Sequence, residues 1–371
     1  MRVLVTGGGT GGHIYPALAL IDTLKKQNQL TECLYIGSKN GLEAEIVERA
    51  ELPFRALTIS GFKRKLSFHN VRTVYRFLRA TKTAKRYIKE FQPDIVIGTG
   101  GYVCGPVVYA AAKMNVPTVI HEQNSVPGLT NKFLSKYADR VAVTFTDSAP
   151  FFPEDKVVET GNPRAQQMYE TAKSLLQQPR TPLYGLDPTK KTVLIFGGSR
   201  GASPVNRAVI ESLSKWEDTS YQCIYVTGEV HHEEIQKEMD KRGSVSNISI
   251  QPFIHDMPNV LAKVDLVVAR AGATTLAELT ALGLPSVLIP SPYVTNNHQE
   301  KNARSLADRG AAVVLKEEDL SGESLFKEIE TILSDEKYKQ SMTDASKSIG
   351  QRDAGDRLTN VMNDLITEKK S

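Results

Sequence analysis

Near its N-terminus the chain reads Val3-Leu4-Val5-Thr6-Gly7-Gly8-Gly9-Thr10-Gly11-Gly12-His13-Ile14-Tyr15-Pro16. The short apolar run predicts a buried strand, and a helix-like pattern follows the glycines. Glycine is needed where a backbone takes positive φ or comes close to a ligand. A glycine loop that leads into a helix also presents N–H groups to an anion. The stretch therefore predicts either a ligand-binding loop with the ionisable ring of His13 at its rim, or a tight turn with a solvent-exposed histidine.

Strand-like and helix-like segments alternate from this stretch to the end of the chain. The predicted strands are Val3–Thr6, Leu34–Ile36, Ile95–Ile97, Thr118–Ile120, Val141–Val143, Val193–Phe196, Ile224–Val226, Leu266–Ala269, Ser286–Ile289 and Val313–Leu315. Short, continuously apolar strands that alternate with amphipathic helices indicate parallel sheets covered on both faces. The predicted fold class is therefore α/β.

The strand–glycine–helix pattern occurs twice. It starts again at Thr192-Val193-Leu194-Ile195-Phe196-Gly197-Gly198-Ser199-Arg200-Gly201-Ala202, after connector-like residues around 161–163 and 177–182. This repetition predicts two Rossmann-like, doubly wound domains, 1–162 and 163–350, with ligands at the carboxyl ends of their strands. We expect the last segment, 351–371, to form a helix that packs back on the first domain.

Composition narrows the class of protein. The chain has 371 residues, of which 40% are hydrophobic and 24% charged, and its three cysteines show no metal-binding spacing. No apolar stretch approaches the roughly 18 residues of a membrane span. The chain begins directly with a strand, which predicts that it has no signal peptide. Together these features predict a cytoplasmic protein.

Basic and aromatic residues are concentrated between Arg55 and Glu90, where Glu90 is the only acid. The basic members are Arg55, Lys63, Arg64, Lys65, Arg72, Arg76, Arg79, Lys82, Lys85, Arg86 and Lys89, and the interleaved apolar ones are Phe62, Leu66, Phe68, Tyr75, Phe77 and Leu78. Such a mixture suits an anionic membrane surface. A nucleic-acid patch and a solvated helix face are the alternatives.

The glycines Gly7, Gly9 and Gly12 match the dinucleotide fingerprint GxGxxG. That fingerprint also requires an acidic residue at the end of the second strand, to hold a ribose. Here the second strand ends with Tyr35-Ile36-Gly37-Ser38, so a nicotinamide-dependent oxidoreductase is disfavoured. A phosphate loop with Gly-Lys-Ser or Gly-Lys-Thr is also absent from the sequence.

A second candidate pocket lies between Asp265 and Glu278. An apolar strand is followed there by a turn of small residues, and Ala273, Thr274 and Thr275 offer N–H groups and hydroxyls to a diphosphate. Glu278, one helical turn further on, can accept both hydroxyls of a ribose. The alternative is that Glu278 only complements the helix N-terminus as a favourable charge.

Six segments are informative in combination: Gly8–His13, His121-Glu122-Gln123-Asn124, Gly161-Asn162-Pro163, Gly197–Ala202, Arg270–Glu278 and the segment with Gln299, Asn302 and Ala303. Together they resemble the MurG glycosyltransferases, and the resemblance covers nearly the whole chain. It implies a GT-B fold, in which two Rossmann-like domains face a cleft. It further implies a hexosyltransferase that moves N-acetylglucosamine from UDP-GlcNAc to the muramoyl 4-hydroxyl of undecaprenyl-diphospho-MurNAc-pentapeptide, with inversion.

The resemblance also implies where such an enzyme works. Its acceptor is a membrane lipid of peptidoglycan synthesis, so we expect a peripheral protein on the cytoplasmic face of the cell membrane. The basic and aromatic segment would then contact anionic lipid. Other proteins of cell-wall synthesis are further expected partners, and nucleic acid is not.

Inverting transfer needs a base for the acceptor hydroxyl, and His13 is our candidate. Its place at a helix start disfavours the imidazolium, so the ring can accept a proton near pH 7. The rival candidates are His121 and Glu122. The sequence has no Asp-x-Asp motif, so we expect neither a metal nor a cofactor.

The remaining site residues follow from the resemblance and from the charge of the departing UDP. Ser199, Thr274, Thr275 and Arg164 are expected to meet that charge, although Arg164 follows its proline more closely than in some family members. Thr10, Gly11 and Gly12 would line the cleft, and Asn124 would face the sugar. The backbone of Ile254 would pair with uracil, and Gln299 would hold hydroxyls of the GlcNAc ring.

Four other functions stay open at this point. They are another GT-B transferase with a lipid acceptor, a nucleotide-sugar epimerase, a nicotinamide-dependent oxidoreductase, and a non-catalytic, membrane-associated cell-wall scaffold.

Overall fold

The computed structural model of the chain describes residues 1–61, 68–198, 200–217, 219–242 and 245–370. These residues form two compact units. Unit 1 comprises Met1–Gln167 and Asp353–Ser371, and unit 2 comprises Met168–Arg352. The boundary that the sequence predicted, after residue 162, lies a few residues before this division.

Unit 1 is built on seven parallel strands. In chain order its elements are β1 (Arg2–Thr6), α1 (Gly11–Lys26), β2 (Glu32–Ser38), α2 (Leu42–Arg49), β3 (Phe54–Leu57), α3 (Phe68–Phe91), β4 (Ile95–Gly98), α4 (Cys104–Ala112), β5 (Thr118–Glu122), α5 (Leu129–Leu134), β6 (Arg140–Val143), β7 (Val157–Glu159) and α6 (Pro163–Leu176). Short 3-10 turns at Thr146–Phe151 and Glu154–Lys156 precede β7, and α6 continues into unit 2.

The strands of the first sheet are arranged in the order β3-β2-β1-β4-β5-β6-β7. The chain therefore winds outward from β1 in one direction and then from β4 in the other. In such a sheet the loops at the carboxyl ends of the two central strands leave a crevice for ligands. Here those loops follow Thr6 and Gly98.

Unit 2 repeats this plan. Its elements are β8 (Thr192–Phe196), α7 (Ser203–Glu211), α8 (Leu213–Trp216), β9 (Gln222–Val226), α9 (His232–Arg242), β10 (Ile248–Gln251), α10 (Met257–Leu261), β11 (Leu266–Ala269), α11 (Ala273–Leu282), β12 (Ser286–Leu288), α12 (His298–Ala307), β13 (Ala312–Val314), α13 (Gly322–Ser334) and α14 (Glu336–Ile349). The order β10-β9-β8-β11-β12-β13 places the change of direction between β8 and β11. The prediction of an α/β fold with two doubly wound domains is confirmed.

The last helix, α15 (Ala354–Lys370), belongs to unit 1. Its buried side chains Leu358, Met362 and Leu365 join the core cluster that contains Leu20 and Leu24 of α1. At its N-terminus, the carboxylate of Asp356 accepts hydrogen bonds from Gln27 at 2.7 Å and Gln166 at 2.9 Å. This helix thus completes one face of the first sheet.

The strands are apolar because both faces of each sheet are covered. In β1 the side chains of Val3, Leu4 and Val5 have no exposed surface, although they alternate between the two faces. Leu4 packs in one core cluster, and Val3 and Val5 pack in another. A buried parallel strand therefore has the continuous apolar sequence that predicted it.

The three cysteines are buried thiols in the cores of the two units. Burial raises the pKa of both Cys33 and Cys104 to about 12 and raises the pKa of Cys223 further. Because the thiolate is the reactive form, these side chains act as small packing groups.

No helix within the described ranges is both long enough and apolar enough to cross a membrane.

Candidate active site

The glycine loop after β1 brings His13 to the central crevice of the first sheet. Thr10 is the N-cap of α1, so His13 lies in the first turn of that helix. Its Nδ1 is 2.8 Å from the carbonyl oxygen of Gly8 and 3.2 Å from Oγ1 of Thr10. A carbonyl can only accept, so Nδ1 carries the proton in this contact, and in the neutral ring the lone pair is then on Nε2.

A second glycine loop, after β4, packs against the first one. Oγ1 of Thr99 donates a hydrogen bond of 2.6 Å to the carbonyl of His13. Gly100 takes a φ of +112°, and a Cβ there would lie 2.6 Å from the ring of His13. A Cβ on Gly101 would lie 2.2 Å from the Gly8 carbonyl oxygen. Both glycines are therefore required by the close approach of the two loops.

This second loop was not among the site segments predicted from the sequence. Its signal was present, because Gly98-Thr99-Gly100-Gly101 follows a predicted strand in the same way as the opening glycines do. What the sequence lacks is the pairing of β1 with β4, which makes the two loops neighbours.

A buried carboxylate behind the first loop was also missed. Glu43 of α2 has no exposed surface, and its Oε2 accepts a hydrogen bond from the backbone N–H of Gly9 at 3.0 Å. Its Oε1 accepts from the backbone N–H and the hydroxyl of Ser38. In the sequence, Glu43 is an ordinary acidic residue of a short amphipathic helix.

His121, a rival candidate for the base, is enclosed in the protein. It is fully buried at the end of β5 and its Nε2 is 2.8 Å from the carbonyl oxygen of Gly161. Its Nδ1 is 3.0 Å from the amide nitrogen of Gln123. Burial lowers the pKa of the ring, while the Gly161 carbonyl and Glu122 act in the opposite direction. Both nitrogens thus hold the strand end together, which is a structural role.

Glu122, the other rival, organises the loop that follows β5. The side chain is 2% exposed and accepts hydrogen bonds from the backbone and side chain of Asn124, the backbone of Gly128 and the side chain of Asn131. A carboxylate with this many donors is committed to shaping the loop. Its bond to the Asn124 amide, 3.2 Å long, sets the direction of that side chain.

Arg164 lies in the first turn of α6, in unit 1. Its guanidinium donates to the side chain of Gln167 at 2.6 Å and stacks over the ring of Tyr15, 5.8 Å from the ring centre. Tyr15 follows His13 by two residues, so Arg164 lies next to the start of α1. The structure thus brings the predicted phosphate ligand to the histidine-bearing helix.

In unit 2, the loops after β8 and β9 pack closely together. Gly201 has a φ of +74°, and a Cβ there would lie 2.1 Å from the carbonyl oxygen of Thr227. Gly228 has a φ of +84°, and a Cβ there would lie 2.5 Å from the backbone of Arg200 and Gly201. Ser199, which the sequence predicted to meet the diphosphate, lies outside the described residues.

The turn after β11 has the form that the sequence predicted. Gly272 is the N-cap of α11, so the N–H groups of Ala273, Thr274 and Thr275 lie in its first turn. Among the described residues, the buried Oγ1 of Thr274 has no hydrogen-bond partner. A buried hydroxyl without a partner is costly in a folded protein and therefore requires an explanation, of which a bound ligand is one. Glu278 is half-buried one turn further along α11.

Helix α12 is attached to this turn. The amide of the buried Asn302 donates to the carbonyl of Ala271 at 3.3 Å, and Oε1 of Gln299 accepts from the backbone N–H of Ser291 at 2.9 Å. Arg270 donates to the carbonyl of Ile289 at 3.1 Å and forms an ion pair with Glu317 at 2.6 Å. The carboxyl ends of β11, β12 and β13 are therefore tied together around the start of α11.

Ile254 follows β10 and is 4% exposed. Its side chain packs in the core cluster of Leu194, Ile224 and Val267, which fixes the backbone at the carboxyl end of β10. This is compatible with recognition by the backbone, because the side chain faces the core.

The surface of α3 and α5 carries exposed apolar residues. Val74, Tyr75 and Leu78 on α3 are 48%, 64% and 62% exposed, and Leu129 on α5 is 69% exposed. The rings of Phe77 and Phe133 join the two helices, with centroids 6.1 Å apart. Exposed basic residues continue along α3 as Arg79, Lys82, Lys85, Arg86 and Lys89.

The remainder of the predicted basic segment is described only in part. Arg55 pairs with Glu90, the only acid of the segment, and stacks over Tyr87. Phe62, Lys63, Arg64, Lys65 and Leu66 lie outside the described residues. The exposed apolar and basic surface is therefore defined by α3 and α5.

Comparison with protein-family models defines the class of protein. Residues 3–143 match the glycosyltransferase family 28 N-terminal domain, and residues 192–358 match the glycosyltransferase family 28 C-terminal domain. With a doubly wound sheet in each unit, the chain is a glycosyltransferase of the two-domain GT-B class.

Individual relatives narrow this class. The chain is 60% identical over 366 residues to the UDP-N-acetylglucosamine–N-acetylmuramyl-(pentapeptide) pyrophosphoryl-undecaprenol N-acetylglucosamine transferase 1 of Bacillus cereus, covering 99% of this chain and 100% of that one. It is 56% identical to the corresponding transferase of Bacillus subtilis, covering 98% and 99%. The crystal structure of MurG from Acinetobacter baumannii matches with a TM-score of 0.78 at 30% identity, covering 98% and 99%. The chain belongs to the MurG family of N-acetylglucosaminyltransferases.

Proposed function

We propose that this chain transfers N-acetylglucosamine from UDP-GlcNAc to the muramoyl 4-hydroxyl of undecaprenyl-diphospho-MurNAc-pentapeptide, with inversion at the anomeric carbon. The relatives' names state the donor and the lipid-linked acceptor. The observation that carries the catalytic part of the proposal is the contact between Nδ1 of His13 and the Gly8 carbonyl.

In this mechanism His13 is the general base. With the proton of the neutral ring on Nδ1, Nε2 accepts the proton of the attacking hydroxyl as the new glycosidic bond forms. The C1–O bond to UDP breaks in the same step, on the opposite face of the sugar. Thr10, Gly11 and Gly12 bound the site beside the ring, and Asn124, whose amide is held by Glu122, faces the sugar.

The donor binds to unit 2 in this proposal. One further negative charge develops on the departing diphosphate as the C1–O bond breaks, and the N–H groups at the start of α11 with the hydroxyls of Thr274 and Thr275 stabilise it. Among the described residues, the buried Oγ1 of Thr274 has no hydrogen-bond partner, which supports this role. Glu278 accepts the ribose hydroxyls, Ile254 offers its backbone to uracil, and Gln299 binds the GlcNAc ring. Ser199 and Arg164 are the other predicted phosphate ligands.

The acceptor reaches the enzyme from a membrane. We propose that the exposed surface of α3 and α5 rests on the anionic, cytoplasmic face of the cell membrane. Tyr75, Leu78 and Leu129 would enter the interface, and the basic residues of α3 would contact lipid headgroups. Such peripheral binding brings the reacting hydroxyl of a lipid-linked substrate to a fixed height above the membrane. Other proteins of cell-wall synthesis are further proposed partners.

A transfer assay with labelled donor tests this function. Purified protein is incubated with UDP-GlcNAc labelled in the sugar and with the undecaprenyl-linked muramoyl-pentapeptide, and label is measured in the lipid fraction. We expect label in the lipid together with one UDP released per sugar transferred. Release of UDP without label in the lipid, or conversion of the donor to another sugar nucleotide, would overturn the proposal.

The variant His13→Ala tests the base. Removing a general base lowers turnover by about 10²- to 10⁴-fold. Binding of UDP-GlcNAc, measured by calorimetry, should be largely kept because most of the proposed donor contacts lie in unit 2. Partial recovery of turnover on addition of free imidazole would support the role, and full activity of the variant without imidazole would contradict it.

A further inference from the structure

The loop that carries His13 is held from behind by a carboxylate. We infer that Glu43 is a positioning residue for the transfer reaction, acting on His13 through the single peptide group between Gly8 and Gly9. This inference rests on the proposed role of His13 as the base.

The two sides of this peptide group make different contacts. Its N–H, which belongs to Gly9, donates to Oε2 of Glu43 at 3.0 Å. Its carbonyl oxygen, which belongs to Gly8, accepts from Nδ1 of His13 at 2.8 Å. In a trans peptide these two groups are coplanar and point in opposite directions. Glu43, the peptide and the imidazole therefore form one continuous chain of hydrogen bonds.

Glu43 is itself fixed. Its Oε1 accepts from the backbone N–H of Ser38 at 2.8 Å and from the Ser38 hydroxyl at 2.5 Å. The three groups that contact the carboxyl, the N–H of Gly9 and the N–H and hydroxyl of Ser38, are all hydrogen-bond donors. A carboxylate, which only accepts hydrogen bonds, matches these three donors. Ser38 is the last residue of β2, so the carboxylate connects the first loop to the neighbouring strand.

Three glycines make room for this carboxylate. A Cβ on Gly8 would lie 2.4 Å from the carboxyl group of Glu43, and one on Gly41 would lie 2.3 Å from it. A Cβ on Gly37 would lie 2.6 Å from Cγ of the same side chain. Gly8 is thus a glycine because of a buried side chain of the protein, and the loop cannot shift toward Glu43.

The chain of hydrogen bonds has two consequences for His13. It fixes the plane of the Gly8–Gly9 peptide, and with it the tautomer and orientation of the ring. It also polarises the peptide, because an N–H bonded to an anion makes its carbonyl a stronger acceptor. The positive charge that forms on the ring during proton transfer is then stabilised from the Nδ1 side.

The test is the isosteric variant Glu43→Gln. Its amide oxygen can accept from either Ser38 or Gly9, and its NH₂ group then faces the other donor, so the contact to the loop or its anchor is lost. We expect kcat to fall about 10- to 100-fold, by analogy with the loss seen when the hydrogen-bond partner of a metal-binding histidine is removed. The KM for UDP-GlcNAc should stay within about twofold, since the donor contacts are not changed.

Two further readouts separate positioning from a loss of fold. The acidic limb of the pH profile of kcat/KM should move to lower pH, because removal of the negative charge makes the imidazolium less stable. In protein labelled with ¹⁵N-histidine, the ring signals of His13 should move toward a mixture of the two neutral tautomers. Ser38→Ala removes the hydroxyl that donates to Glu43 and keeps the carboxylate, so it should give smaller changes in the same direction. This variant replaces Glu43→Gln in the test if Glu43→Gln does not fold.

The matched control is Asp139→Asn. The Asp139 carboxylate also accepts from a backbone N–H and a hydroxyl, those of Thr118, both at 2.8 Å, but at the opposite end of the same sheet. This variant should lose stability without any change in kcat or in the ¹⁵N signals of His13.

The inference is overturned if Glu43→Gln lowers kcat no more than Asp139→Asn does. It is also overturned if the ring signals of His13 are the same in the wild type, in Glu43→Gln and in Asp139→Asn. Failure of the proposed base gives a different pattern. In that case His13→Ala retains its turnover, while the ¹⁵N signals still report whether Glu43 orients the ring.

Discussion

His13 and His121 both lie at the carboxyl end of the first sheet, yet their surroundings differ. His121 is completely buried and both of its ring nitrogens contact protein groups. His13 is half-buried at the start of a helix, with Nδ1 on a backbone carbonyl. Burial and the contacts of both ring nitrogens indicate a structural role for His121, whereas the partial exposure of His13 is compatible with the role of base proposed for it.

The buried state of His121 predicts a pH dependence of stability. Burial lowers its pKa below the ordinary value of 6.5, so below that pH the unfolded chain binds a proton that the folded chain does not. The contribution of the buried, neutral His121 to stability is complete above pH 6.5. As the pH falls below this value, the free energy of unfolding decreases by at most about 1.4 kcal/mol per pH unit. Urea unfolding followed by circular dichroism at pH 5.5 to 7.5 should show a steeper loss for the wild type than for His121→Gln. Parallel curves for the two proteins would contradict this assignment.

For single residues, the sequence indicates which side chains are candidates for the reaction better than it indicates which groups those side chains contact. His13, Thr274 and Glu278 could be chosen as candidates because each stands at a fixed offset from a strand and a turn of small residues. Glu43 could not, because its partners Gly9 and Ser38 are brought together only by the pairing of β1 with β2. Thr99 could not be predicted for the same reason, because its hydroxyl donates to the carbonyl of His13 from the loop after the neighbouring strand β4.

Helix α15 depends on packing with a distant part of the chain. Its apolar residues Leu358, Met362 and Leu365 recur at helical spacing, which predicts a helix with one buried face. The sequence does not say which surface covers that face. In the structure it packs in the cluster around α1, more than 300 residues away along the chain.

Shortening a buried side chain of α15 tests this packing. Met362 has no exposed surface, and Met362→Ala should lower the free energy of unfolding by about 2–5 kcal/mol, from lost burial and the cavity left behind. The matched variant Asp364→Ala, on the exposed face of the same helix, should change it by no more than about 0.5 kcal/mol. Denaturant titration of both variants measures the difference. Equal effects of the two substitutions would show that α15 is not packed through this face.

At the scale of the whole molecule, the repeated strand–glycine–helix pattern predicted two units with one topology. The six strands of the second sheet follow the same order as β3-β2-β1-β4-β5-β6 of the first, with the central loops after β1 and β4 in one unit and after β8 and β11 in the other. The general rule that ligands bind where the winding changes direction led to His13 and to the start of α11. The exact division at Gln167 and Met168 could not be predicted, because α6 continues through it without a break in its helical pattern.

The proposed membrane surface makes a prediction for the intact protein. Each basic residue near an anionic membrane contributes about 1 kcal/mol of binding, so Arg79→Glu with Lys82→Glu should weaken vesicle binding by about 30-fold or more. Co-sedimentation with vesicles of phosphatidylglycerol and phosphatidylcholine measures this. The loss should shrink as salt is raised, because screening removes the electrostatic part of the attraction. Tyr75→Ser with Leu78→Ser should weaken binding at every salt concentration, since burial of apolar groups is not screened.

A second charge-reversed variant, in unit 2, distinguishes the effect of this surface from the effect of the net charge of the protein. Lys237 and Lys241 are exposed on α9 of unit 2, and reversing both changes the net charge by the same amount as the α3 variant. That control should bind vesicles like the wild type and transfer sugar at the wild-type rate. The α3 variant should lose transfer to acceptor embedded in vesicles but keep transfer to acceptor dissolved in detergent, because its catalytic residues are intact. Equal vesicle binding by the two charge-reversed proteins would mean that net charge, and not the surface of α3 and α5, governs contact with the membrane.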